Sequence, residues 1–139
     1  VYELVSLSVS KDRNGKTGGT NVPIREITHL ENDDYRVVVH TEDNIYFYVA
    51  TLTFLEDFLN SSGYRFRMAD RGCLINVDSI ACVDMDLMLA YFEDEPTKKS
   101  KKCTLGKDKF ARILKEFTQL ENRCSSRITS KKRLFGFGR

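Results

Sequence analysis

No stretch of the 139 residues approaches the run of about eighteen apolar positions that a membrane-crossing helix needs. The opening Val1-Tyr2-Glu3-Leu4-Val5 has neither the basic start nor the apolar block of a signal peptide. No Cys-x-x-Cys occurs: Cys73, Cys82, Cys103 and Cys124 are widely spaced, and the two histidines, His29 and His40, stand away from them. A zinc site or a disulfide framework is therefore a poor expectation, and reduced thiols in a cytoplasm are the better one. Gly15-Lys16-Thr17 ends like a nucleotide loop, yet Ser10 occupies the place of that pattern's first glycine and Pro23 stands where a helix would start. A mobile hairpin turn is the expectation there. With no nucleophile paired to a base, no metal spacing and no phosphate loop, the chain is not expected to be an enzyme, and no cofactor is called for.

What remains is an ordinary folded composition, 41% hydrophobic and 30% charged, with room for one domain and an appendage. The formal charge of +2 hides a division. From Val1 to Pro96 there are 8 Lys and Arg against 17 Asp and Glu; from Thr97 to Arg139 there are 14 against 3. A basic C-terminal third on an acidic body points to an anionic partner, because a one-signed patch attracts counter-charge over a Debye length; a solvated tail without a partner has the same composition. Residues 122–139 carry that basic excess to the end and are expected to form a flexible tail on a domain spanning residues 1–121. Because the chain opens on Val1 rather than Met, upstream residues are expected.

Along the chain, Val1 to Val9 alternates as a first strand, and Val22 to Leu30 turns Ile24, Ile27 and Leu30 inward. Glu31 to Asp34 reads as a loop, after which Tyr35 to Thr41 and Ile45 to Val49 form a hairpin around Asp43-Asn44. Thr53-Phe54-Leu55-Glu56 has the pattern of a capping box at the start of a short helix ended by Asn60-Ser61-Ser62-Gly63. The buried run Cys73, Leu74, Ile75 and Val77, with a second strand at Ile80 to Val83, holds Arg67, Asp70 and Arg71 out as a charged loop, a common way to build a recognition element. Leu87 to Phe92 is another strand. The next opens with Lys98, Lys99, Lys101 and Lys102, either edge protection or phosphate contacts. Phe110, Ile113, Leu114, Phe117 and Leu120 then mark one face of a last helix.

The order of an aromatic, a loop with arginine, two aliphatics and an asparagine, here Asp70-Arg71-Gly72 followed by Leu74, Ile75 and Asn76, resembles the signature of the LytTR family of bacterial DNA-binding domains. In that family the loop commonly reads His-Arg-Ser. The resemblance spans about Val22 to Gln119. It implies a mostly β fold, small antiparallel sheets with one or two short helices and a C-terminal helix. It also implies a sequence-specific transcription regulator that enters the major groove of double-stranded promoter DNA with loops, at repeated sites and as a homodimer on DNA.

Carried over position by position, the contact residues are Tyr35 and Arg36 at the opening of the hairpin, Arg71 with Asp70, and Lys107 with Lys109 at the start of the last helix. There Gly106 and Lys107 replace the family's serine and arginine. Lys99, Lys101 and Lys102 are candidates to hold phosphates. Family members often carry a receiver domain, for which the 21 residues before Val22 leave no room. A module of the same fold that has lost DNA readout, and pairs with a DNA-binding relative, is the alternative that Asp70, Gly72 and the acidic body favour.

Overall fold

A computed structural model describes residues 3–123 of the chain. The basic tail expected from residue 122 onward, and with it Cys124, lies outside that range except for the end of the last helix. Among the described residues, ten strands form two antiparallel sheets. The larger has seven strands: β1 (Ser6–Ser10), β2 (Gly19–Pro23), β3 (His29–Asp33), β4 (Arg36–His40), β5 (Ile45–Tyr48), β6 (Phe66–Asp70) and β7 (Cys73–Asn76). Their spatial order is β2-β1-β5-β4-β3-β7-β6. The smaller contains β8 (Cys82–Asp84), β9 (Leu89–Tyr91) and β10 (Lys102–Thr104), in the order β10-β9-β8. The described residues also form two α-helices, α1 (Leu52–Ser61) and α2 (Lys107–Arg123).

The large sheet is buried from both sides by two different clusters. On β4, Val37 and Val39 alternate with half-buried Arg36, Val38 and His40, the period-two pattern that sends successive side chains to opposite faces. Val37, Val39, Leu30, Leu74 and Phe66 meet Leu52, Leu55 and Leu59 of α1. The opposite face contributes Ile75 and Ala69 to a second cluster with Val83, Ala90 and Cys103 of the small sheet, and with Leu105, Ile113 and Phe117 around α2. Ile113 and Phe117 of α2 therefore pack on the domain itself; their spacing alone suited a second copy of the domain equally well. Asn76 is buried where the chain leaves β7: its amide donates to the Ile27 carbonyl at 2.8 Å, and its side-chain oxygen accepts from the Asp78 N–H, capping a single 3-10 turn at Val77–Ser79.

Several local readings change. The segment Glu31 to Asp34 is mostly strand: β3 pairs in full register with β4 and also with β7, so charged side chains ride on a ladder fixed by its neighbours. Helix α1 is capped by Thr51, not Thr53; its hydroxyl accepts from the Phe54 N–H at 3.1 Å. Starting two residues earlier buries Leu52 beside Leu55 and Leu59, which a start at Thr53 would forgo. Gly63, at φ +100°, supplies the left-handed exit, and the Tyr64 N–H bonds the Leu59 carbonyl.

Arg67 belongs to β6 and not to an exposed loop. It grips both carboxylate oxygens of Glu116 on α2 at 3.0–3.2 Å, with both side chains only 18% exposed. The lysine-rich stretch opens with a turn in which the Ser100 N–H bonds the Thr97 carbonyl, and strand geometry begins only at Lys102. The Gly15-Lys16-Thr17 turn, expected as mobile, is organised around the Asp12 carboxylate. Asp12 accepts from the N–H groups of Asn14, Lys16 and Thr17 and from the Thr17 hydroxyl, and these bonds hold its pKa down at about 2. Donors that a phosphate would need are already engaged.

Candidate nucleic-acid interface

Three elements meet at one end of the large sheet. The first is the β3–β4 turn, closed by the pair Asp33 and Arg36, with Asp34 in the left-handed region at φ +57° and Tyr35 68% exposed at its tip. The Arg36 guanidinium lies over the Tyr35 ring at 4.5 Å, a cation–π contact that presents both side chains as one unit. The β1–β2 loop supports this turn. Arg13 bridges Asp33 at 2.9 Å and Asp34 at 3.2 Å, and Asn14 accepts from Arg36 at 3.4 Å. Arg13 beside Asp33 holds that carboxyl below its usual range. Nothing in the sequence pattern announces Arg13 and Asn14, because their partners lie about twenty residues away and are reached only through sheet pairing.

The second element is the β6–β7 turn. Gly72, at φ +74°, lets the chain reverse after Arg71, and its carbonyl accepts from the Asn32 N–H at 2.9 Å, tying this turn to the first. A bulge between Met68 and Asp70 takes Ala69 out of the ladder. Its carbonyl accepts instead from the Gly106 N–H at 2.6 Å, which fixes the third element, the start of α2. Gly106 supplies the first acceptor of that helix, bonding the N–H groups of Lys109 and Phe110. A Cβ there would approach Ala69 O and Asp108 Oδ1 at 3.3 Å and Asp70 Oδ1 at 3.4 Å, so a side chain at this position would need its neighbours to give by a few tenths of an ångström.

Within this assembly the sequence-predicted residues take distinct places. Arg71 is exposed, and among the described residues no hydrogen bond or ion pair occupies its guanidinium. Asp70 accepts from the Arg71 backbone N–H at 2.8 Å, so its carboxylate shapes the turn. Lys107 is exposed at the first turn of α2, and Lys109 lies 3.8 Å from Asp108. Tyr35, Arg36, Asp70, Arg71, Lys107 and Lys109 are thus gathered at one end. The β8–β9 turn joins them through the Leu105 N–H, which bonds the Met88 carbonyl, and it adds exposed Met85 and Leu87.

Lys99 and Lys101 are not gathered there. The Lys101 ammonium donates to the carbonyls of Thr41 at 2.8 Å and Asn44 at 2.9 Å, at the β4–β5 turn on the opposite end. Strand β4 separates the two ends by roughly 15 Å at about 3.3 Å per residue. Burial lowers the Lys101 pKa. Lys102 is exposed at the beginning of β10, from which the chain runs toward the first end.

Beside Lys101, the rings of His29 and His40 stack at 4.0 Å between centroids, and Phe92 stacks on His29 at 5.4 Å. The Thr28 hydroxyl donates to the His40 carbonyl, so its oxygen accepts from His29 Nδ1–H, while His40 Nε2 meets Glu31 at 2.6 Å. Burial, then His40 and Lys101, push the His29 pKa down to about 3; burial also lowers that of His40, against the pull of Glu31. His29, Glu31 and His40 bring ligand atoms within 4.8 Å of one another. Their lone pairs lie in the planes of nearly parallel rings and do not converge on one ion, and the neighbouring ammonium opposes a cation.

Comparison with known proteins bears on what such an assembly is for. No curated protein matches the chain. Four solved chains match. One is the LytTr DNA-binding domain of a Bacillus cereus protein, which aligns at 16% identity over 80% of this chain and 97% of that one, with a TM-score of 0.61. At that identity the likeness establishes the fold. The model of the LytTr DNA-binding domain matches residues 19–118, a span that runs from β2 into α2 and includes all three converging elements. By that match over most of its length, the chain belongs to the LytTR family of DNA-binding domains.

Proposed function

We propose that the protein is a sequence-specific transcription regulator that reads duplex DNA through the major groove with the turns gathered at one end of the sheet. The observation that carries this reading is the convergence itself. Two hairpin tips and a helix start, far apart in sequence, are locked together by the Asn32–Gly72 and Gly106–Ala69 hydrogen bonds. Arg71, with five donors and no partner among the described residues, suits a guanine edge, where arginine bonds O6 and N7 together. Tyr35 with Arg36 flanks it on one side. Lys107 and Lys109, beside the positive end of α2, suit backbone phosphates on the other. Asp70 orients the Arg71 backbone. Lys99 and Lys102 contribute long-range attraction, and Lys101 is chiefly a strut.

The test is a selection from a random duplex library at near-physiological salt, on the full chain and on a version ending at Arg123. An enriched motif retained by the shorter version is the expected result. Enrichment from neither version overturns the reading and favours a module that pairs with a DNA-binding relative. Binding that ignores sequence and falls steeply with salt would reduce the tip to phosphate contacts.

A further inference from the structure

Cys73 and Cys103 come from different sheets and meet with their sulfur atoms 3.3 Å apart. Each occupies a telling place. Cys73 opens β7 immediately after Gly72, so it is the root of the turn that carries Arg71. Cys103 is the middle residue of β10, three positions before Gly106, so it is the root of the helix start that carries Lys107. Both are free thiols; Cys73 is half-buried and Cys103 is buried at 4% exposure.

We propose that Cys73 and Cys103 are a reversible oxidation site, which a hydroperoxide converts to an intramolecular disulfide that fastens the β6–β7 turn to the root of α2. This use of the site to control DNA binding rests on the reading of the tip given above; formation of the disulfide does not. Cys73, the more accessible sulfur, attacks the peroxide. The O–O bond breaks, a sulfur–oxygen bond forms, and water or an alcohol leaves with the thiol proton, giving a sulfenic acid. The Cys103 sulfur then attacks the Cys73 sulfur. The sulfur–oxygen bond breaks and hydroxide departs, taking the Cys103 proton as water. Two thiols are oxidised and one peroxide is reduced, and an external dithiol reverses the change.

Contact with the Cys73 sulfur and burial push the Cys103 thiol well above the usual range while the two thiols face each other; the half-buried Cys73 meets peroxide first, and the buried Cys103, already beside it, is placed to resolve the sulfenic acid. Forming the bond draws the sulfurs together by about 1.3 Å, to the 2.05 Å of a disulfide. The main sheet and β10 approach each other by part of that distance, and Arg71 shifts relative to Lys107. A contact surface needs its groups held to about 0.5 Å, so the oxidised form is expected to bind the selected duplex about tenfold more weakly.

The test uses the full chain. It is treated with hydrogen peroxide, denatured, alkylated and mapped by mass without reductant. The expected product is a linked pair of peptides carrying Cys73 and Cys103, lighter by two hydrogens, abolished by dithiothreitol, with Cys82 and Cys124 still alkylated. Over-oxidised Cys73 without the link, or a dominant link to Cys124, overturns the site. Duplex binding is measured on the same samples. Weakening that reductant restores, and that is absent in Cys73→Ser and in Cys103→Ser, supports the control; a complete cross-link with unchanged affinity overturns it. Should the reduced chain bind no duplex, the DNA reading fails, and the cross-link map alone decides the oxidation site.

Discussion

At one end of the large sheet Arg71 and Lys107 stand exposed without a partner among the described residues; at the other, Lys101 is spent on two carbonyls beside a stacked, uncharged histidine pair. The same contrast recurs within a single hairpin. Arg67 closes on Glu116 and braces β6 against α2, while Arg71, four residues on, has its donors free. Basic residues are plentiful at both ends, so their number does not mark the contact surface. Unsatisfied donors held on a rigid backbone do, since a cation already bonded to protein must give up those bonds before it can take a phosphate or a base.

The largest expected effect separates the ends by pH. Unfolded His29 takes up a proton near the ordinary imidazole value of 6.5, whereas folded His29 resists until about 3. Between those values the unfolded chain binds the extra proton. The contribution is therefore complete above pH 6.5 and is lost as the pH falls, at about 1.4 kcal/mol per unit where the two states differ by one proton. Chemical denaturation between pH 7 and pH 4 should show this decline, and His29→Phe, which keeps the stack and removes the titration, should flatten it. A decline unchanged in that variant would assign the acid sensitivity elsewhere.

Next comes Arg71→Ala, which should cost about 1–3 kcal/mol on the preferred duplex and little on random DNA, with no change in folding stability. Its counterpart, Arg67→Ala, should cost about 2 kcal/mol of folding stability, because Glu116 is left mostly buried without its partner, and should leave the preferred sequence unchanged. If Arg67→Ala altered the motif as strongly as Arg71→Ala, the division between brace and reader would be wrong. The smallest pair of effects concerns lysine. Lys107→Ala should reduce the slope of log affinity against log salt by about 1, and Lys101→Ala should leave that slope in place while lowering thermal stability.

Much of the architecture was legible in the chain. The β-propensity of Val37-Val38-Val39, the apolar run Cys73 to Val77 and the helical spacing from Phe110 to Phe117 each point to one kind of element, and the structure keeps all three. Local competition explains the misses. Thr51 and Thr53 are equally good caps by residue type, and burial of Leu52 decides between them. Glu31 and Asp33 read as loop because their strand character is imposed by β4 and β7. The gathering of Tyr35, Arg71 and Lys107 was visible only through the family resemblance. Their proximity depends on a bulge at Ala69 and two backbone hydrogen bonds, which leave no periodic trace. The strut role of Lys101 and the meeting of Cys73 with Cys103 are likewise products of pairing between distant segments.

The most direct test of the central claim is the ratio of affinities for the selected duplex and a scrambled one, measured at near-physiological salt for the parent chain, for Arg71→Ala, and for a variant with Lys99→Ala and Lys102→Ala together. The account predicts that Arg71→Ala collapses the ratio, while the lysine variant weakens both duplexes alike and preserves it. A ratio that survives loss of Arg71, or that collapses in the lysine variant, would contradict the assignment of sequence reading to the turns at the tip.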